Sequence, residues 1–110
     1  MRLEEILRQP EGKTLEFKRD LSSPTTALRT LVAFANSAGG QLIIGVADEN
    51  RAVVGVKEPL GLEERLASLV ADSIEPALLP EIEIVPWRQQ RSLQQGFARV
   101  IRLRQSSSEP

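Results

Sequence analysis

Residues 31–56, LVAFANSAGGQLIIGVADENRAVVGV, are the stretch around which the rest of the chain is arranged. They read as the end of a helix, a double-glycine stop, a buried strand, a turn and a returning strand. The helical pattern runs to Ala38, and Gly39 can take the left-handed conformation that closes a helix without a side-chain clash. Residues 41–46 form an apolar run too short for a helix and rich in β-branched residues, which predicts a central strand. Asp48-Glu49-Asn50 is turn chemistry, and residues 52–56 are expected to return as the partner strand of a hairpin. Gly40, Gly45 and Gly55 lie in or beside these strands and leave room for a second backbone or a ligand.

Upstream, Leu3, Ile6 and Leu7 recur at helical spacing before Pro10, predicting a short N-terminal helix. Pro10-Glu11-Gly12 is a turn. Residues 14–18 then alternate, with Leu15 and Phe17 on a core face and Thr14, Glu16 and Lys18 on the other. Gly12-Lys13-Thr14 imitates the end of a phosphate loop, but Leu7 stands where that motif needs its first glycine, and a strand follows instead of a helix. Ser23 is placed to cap the next helix, with Pro24 at its first position. Leu28, Leu31, Val32 and Ala35 form its apolar stripe, widened by Ala27, Ala33 and Phe34, while Arg29 and Asn36 fall outside it.

Downstream, Leu62, Leu66, Leu69, Val70 and Ile74 mark a second amphipathic helix that ends before Pro76. Residues 81–85 alternate as a strand, and Pro86 points to an edge or a bulge. Gln89-Gln90-Arg91-Ser92 is expected to turn the chain into a last strand at residues 97–103. The predicted order after the short first helix is β-α-β-β-α-β-β. That order implies an α+β domain, a mixed sheet of about five to six strands with two main helices packed on it. Residues 1–105 make the domain, and residues 106–110 have the composition of a tail or linker.

At 110 residues the chain suits one core, and 41% hydrophobic with 26% charged residues is ordinary for a soluble globular protein. No apolar run approaches the roughly 20 residues that span a bilayer, and the first residues lack a signal-peptide core, so a cytoplasmic location is the expectation. Cysteine and histidine are both absent. Disulfides, thiolate nucleophiles, histidine bases and ordinary zinc sites are therefore excluded, and any metal would be a hard ion held by carboxylates. The net charge of −1 hides a polarised distribution: residues 84–105 carry five arginines (Arg88, Arg91, Arg99, Arg102, Arg104) and no acid.

AFANSAGGQLIIGVADE…VVGV, together with Leu15-Glu16-Phe17-Lys18, Glu75-Pro76 and the final basic strand, resembles the Schlafen AlbA-type domain over roughly residues 10–105. The resemblance implies a DNA-binding module of bacterial transcriptional regulators, standing as the N-terminal piece of a longer protein. It also implies an alternative. Schlafen-type domains that cut RNA use two glutamates five residues apart and a later aspartate after the glycine-rich strand. Glu11, Glu16 and Asp48 match that pattern here. Three converging carboxylates could hold Mg2+ or Mn2+, activate water and stabilise a leaving phosphodiester oxygen, with Lys18 neutralising charge on the phosphate. No cofactor is needed for binding alone.

The binding candidates are Lys18, Arg19, Arg29, Arg88, Arg91, Arg99, Arg102 and Arg104, because arginine forks grip phosphate and a stripe of them can track a backbone. Trp87 is the one aromatic placed to stack on a base. Asn36, Ser37, Gly39 and Gly40 sit at a helix C-terminus, whose dipole repels anions, so capping accounts for those glycines better than phosphate binding. Nucleic acid, DNA before RNA, is the expected partner. A second alternative is a dimerisation module, in which an edge strand and the apolar connector (Leu78, Leu79, Trp87) pair two copies, and no membrane contact is expected.

Overall fold

A computed structural model describes residues 2–73, 80–91 and 94–107, with the side chains of residues 73, 88–91 and 94–97 outside that description. In chain order it contains α1 (Leu3–Leu7), β1 (Leu15–Lys18), α2 (Pro24–Ala35), β2 (Gly40–Ile44), α3 (Pro59–Ser73), β3 (Glu81–Arg91) and β4 (Gln94–Gln105). The strands form one mixed sheet in the order β1-β2-β4-β3. β1 and β2 are parallel, joined through α2, while β4 runs antiparallel to both its neighbours. The α+β class is as expected, but the described residues make four strands and not five or six.

The missing strand is the one predicted at residues 52–56. Gly45 (φ 109°) and Gly55 (φ 75°) both adopt left-handed backbone conformations that turn the chain out of the ladder. The Gly45 carbonyl accepts the amides of both Val54 and Gly55 at 2.9 and 2.8 Å, and Val46 makes only an isolated bridge to Val53. The segment then crosses to β4, where Val56 N–H donates to the Arg99 carbonyl. The room left by the glycines is taken by the protein itself. A Cβ on Gly45 would lie 3.3 Å from the Gly55 backbone, and one on Gly40 would enter the Phe34 ring.

Alternation along the strands gives the sheet two apolar faces. Leu42, Ile44, Ile101 and Leu103 pack under α2 and α3, against Leu31, Phe34, Leu66 and Val70. Leu15, Phe17, Ile43, Val46 and Val100 face the opposite way and are covered by Leu3 and Ile6 of α1. α2 stops at Ala35, three residues before the end predicted for it, and Gly39 N–H reaches back to the Phe34 carbonyl. Val32 and Ala33, expected in its apolar stripe, are exposed. Ser23 precedes α2 as predicted, but its hydroxyl pairs with that of Thr26 and caps no backbone amide.

β3 and β4 are long strands held in one unbroken register from Glu81↔Arg104 to Arg91↔Gln94. The expected turn residues Gln89, Gln90 and Arg91 are therefore strand, and Ser92 lies outside the described residues. Because the Arg99 carbonyl points toward Val56, odd positions of β4 face β2 and even positions face β3. The opposed pairs Arg104–Glu81, Arg102–Glu83 and Val100–Val85 thus exchange backbone bonds. The backbone groups of Ile82, Ile84 and Pro86 then point away from β4, so Pro86 occupies the edge position where a missing N–H costs no ladder bond. Ile74, Glu75-Pro76 and residues 78–79 lie outside the described residues.

Candidate functional site

The carboxylates singled out by sequence do not gather. Glu11, exposed in the turn before β1, accepts the Phe17 backbone N–H on Oε2 at 3.0 Å. β1 is an edge strand, and Gly12 N–H donates to the Leu15 carbonyl on the same side, so residues 11–12 close that edge. Glu16 points to the α2 side, where the Thr30 hydroxyl donates to its Oε2 at 2.7 Å. Asp48 is exposed in the turn after β2, which is closed by the Arg51 N–H to Ala47 carbonyl bond. Among the described residues no group of three or more acids could hold a metal ion. The donor set does not fit a three-carboxylate metal site.

The cations divide into two kinds. Arg102 is buried, 8% exposed, on the α1 side of the sheet. Its Nε donates to Gln41 Oε1 at 2.6 Å, and its Nη1 lies 3.4 Å from Glu83 Oε1. Arg104 Nη2 donates to Glu81 Oε2 at 2.8 Å, with both side chains more open to solvent. Each arginine lies directly opposite its glutamate in the register. The acid-free window at residues 84–105 therefore loses two of its five charges to acids just upstream of it. Arg102 and Arg104 hold the sheet face together.

The remaining candidate cations stand on or beside β1, β3, β4 and α2. Arg99 is exposed on β4. Arg88 and Arg91 stand in β3, their side chains outside the description. Lys18 is half-buried at the end of β1, its carbonyl accepting the Gly45 and Val46 amides, and Arg19 follows it, exposed. Arg19 helps hold the neighbouring Asp20 carboxyl below its ordinary range, after the larger effects of hydrogen bonds from the Ser22 hydroxyl and amide. Arg29 is exposed on α2. Trp87 is half-buried beside Val85 against the α1-side core, which removes much of its face from a stacking role.

Four residues matter here that sequence reasoning did not select. Glu81 and Glu83 could have been found, since acids two apart on one strand and arginines two apart on the next mark a common face. Gln41 orients the buried Arg102 but carries no signal in its own neighbourhood. Arg51, among the described residues the one non-glycine with a left-handed backbone (φ 60°), is equally silent in sequence. Its Nη1 donates to the Leu7 and Gln9 carbonyls, and its guanidinium lies 4.5 Å from the centre of the Phe17 ring. It ties α1 and the turn after β2 to β1.

A shallow open cleft lies at the start of β2, lined by Gly39, Gly40, Gln41, Glu81, Arg104 and Gln105. It offers no phosphate cradle of free glycine backbone. A Cβ on Gly39 would come 2.7 Å from the Gln105 carbonyl, and the Phe34 ring fills the space at Gly40.

Residues 11–110 match the family described as Schlafen, AlbA_2. The chain is also 31% identical over 78 residues to a protein of Ureaplasma parvum serovar 3 named as an uncharacterized ATP-binding protein, covering 69% of this chain and 22% of that one. It thus spans about a fifth of that relative's length.

Proposed function

The chain belongs to the Schlafen AlbA_2 family, and from that premise we propose that it is a nucleic-acid-binding domain, for DNA before RNA, of a bacterial transcriptional regulator. It holds the phosphate backbone through basic strand residues. The observation that carries this is the separation of charge along the β3–β4 hairpin. Glu81 and Glu83 neutralise Arg104 and Arg102 in the part that belongs to the four-stranded sheet. Arg88, Arg91 and Arg99 occupy the outer part, where the sequence from residue 84 to 105 has no acid. Cations on a strand pair whose sequence from residue 84 to 105 carries no acid attract a polyanion, and each phosphate contact releases a counterion.

Lys18, Arg19 and Arg29 add cations on the β1 and α2 side, so the contact surface is not confined to one strand. The ATP named for the Ureaplasma protein supports no site here, because the glycines at the start of β2 are packed by Gln105 and Phe34. Binding is tested by fluorescence anisotropy with labelled duplex DNA, single-stranded DNA and structured RNA, each with and without Mn2+. Binding that weakens steeply with salt and leaves the probe uncut supports the proposal. Manganese-dependent cutting abolished by Glu16→Ala would replace it with the nuclease reading.

A further inference from the structure

The β3–β4 hairpin outgrows the sheet that supports it. β2 pairs with β4 only from Ile101 to Gln105, and Gly55 and Val56 support Ala98 and Arg99. Val85 and Trp87 of β3 pack against the core beneath. Beyond the opposed pair Trp87↔Ala98, residues 88–91 and 94–97 continue as a two-stranded ribbon in unbroken register: Arg88↔Phe97, Gln89↔Gly96, Gln90↔Gln95, Arg91↔Gln94. No further described strand flanks it. Four residue pairs at about 3.3 Å each extend it by roughly 13 Å.

The sequence of this ribbon is unusual. Its eight described positions hold two arginines, four glutamines, one glycine and one phenylalanine, with no acid. Arginine and glutamine are the side chains whose paired hydrogen-bonding atoms match base edges, arginine to guanine O6 and N7, glutamine to adenine N6 and N7.

We propose that this ribbon enters the major groove of duplex DNA and reads purine edges there, a step that rests on the nucleic-acid reading above and makes it more specific. The dimensions select the groove. Two strands about 4.8 Å apart with their side chains fit a groove about 12 Å wide and 8.5 Å deep, and the roughly 6 Å minor groove excludes them. The major groove of duplex RNA is too narrow and deep for such a ribbon. Single strands are held by stacking on successive aromatics, whereas the ribbon's described positions hold one phenylalanine and Trp87 packs against the core at its base. Glu81 and Glu83 lie at the far end of the hairpin from the ribbon, so phosphates flanking the groove meet arginine first.

The test begins with selection of tight-binding duplexes from a random-sequence pool by the whole chain. The best duplex is then remade with 7-deazaguanine and 7-deazaadenine, which removes the purine N7 acceptors from the major groove and leaves charge and minor groove unchanged. A selected purine-containing site, bound at least fivefold more weakly after 7-deaza substitution, is the expected result. Duplex RNA of the same sequence should bind at least tenfold more weakly than DNA. In the protein, Asn-Gly replacing residues 88–97 joins the opposed Trp87 and Ala98 by a two-residue turn and should abolish the preference with little change in melting temperature. Should that variant fail to fold, Gln89→Ala, Gln90→Ala and Gln95→Ala together preserve the ribbon and its charge and should lower selectivity in the same way. Equal binding of natural and 7-deaza duplexes, no enriched site, or equal affinity for RNA and DNA overturns the groove reading alone. No nucleic-acid binding by the parent chain overturns the proposed function as well.

Discussion

The guanidinium of Arg102 lies 3.4 Å from the carboxylate of Glu83, its directly opposed neighbour across β4 and β3, and its Nε holds Gln41 of β2. One side chain thus links three adjacent strands on the α1 side of the sheet. A buried arginine held this way serves the fold. Arg102→Ala leaves Gln41 without its donor and should cost about 1–3 kcal/mol in urea unfolding. Its duplex-DNA affinity at fixed salt should stay within twofold of the parent, as measured by anisotropy.

Glu11 acts on the opposite edge. Its carboxylate takes the outward N–H of Phe17, a donor that an edge strand otherwise presents to solvent or to another chain. Glu11→Ala should lower stability by about 1–2 kcal/mol and speed hydrogen exchange at the Phe17 amide, while Glu11→Gln, which keeps an acceptor, should lose less. Adding Mn2+ should change neither result.

Arg51 braces α1. Five residues are too few for a helix to persist alone, so α1 depends on Leu3, Ile6 and the carbonyl contacts of Arg51. Arg51→Ala should cost about 2 kcal/mol, from hydrogen bonds made by a charged donor and from the ring contact. Arg51→Lys should not restore it, because one ammonium cannot span both carbonyls and cover Phe17. Amide exchange across α1 reports the loss directly.

Gly39 is required by conformation and by space together. Its φ of 87° disfavours any Cβ, and that Cβ would meet the Gln105 carbonyl at 2.7 Å. Gly39→Ala should cost about 2 kcal/mol or more and lower the melting temperature, with the damage centred where β2 pairs with the end of β4.

Much of this was legible in the chain. The double glycine after a helical stripe, the apolar run to Ile44 and the alternation at Leu15 and Phe17 correctly placed α2, β2 and β1, because periodicity and glycine conformation are local properties. Pro86 announced an edge for the same reason. The segment at residues 52–56 misled because its β-branched composition fits a strand, whereas Gly45 and Gly55 divert it through a backbone contact that composition does not encode. Val32 misled because an apolar residue on a helix need not face the core. For the site, the arginines were visible but their partners were not weighed. Glu81 and Glu83 fell just outside the acid-free window, and only the strand register sets them opposite Arg104 and Arg102. Glu11 and Glu16 have the spacing of a catalytic pair, yet one closes a strand edge and the other holds Thr30.

The most direct test of the proposed nucleic-acid binding is the slope of log affinity against log salt for duplex DNA. It would be measured on the parent chain, on Arg88→Ala with Arg91→Ala, and on Arg102→Ala with Arg104→Ala. Each lost phosphate contact flattens the slope by about 0.9. The first pair should therefore reduce it by about 1.8, and the second pair, whose charges are already neutralised by Glu83 and Glu81, should leave it unchanged. An unaltered slope in the first variant, or an equal loss in the second, would contradict the division of the hairpin into a structural base and a binding ribbon.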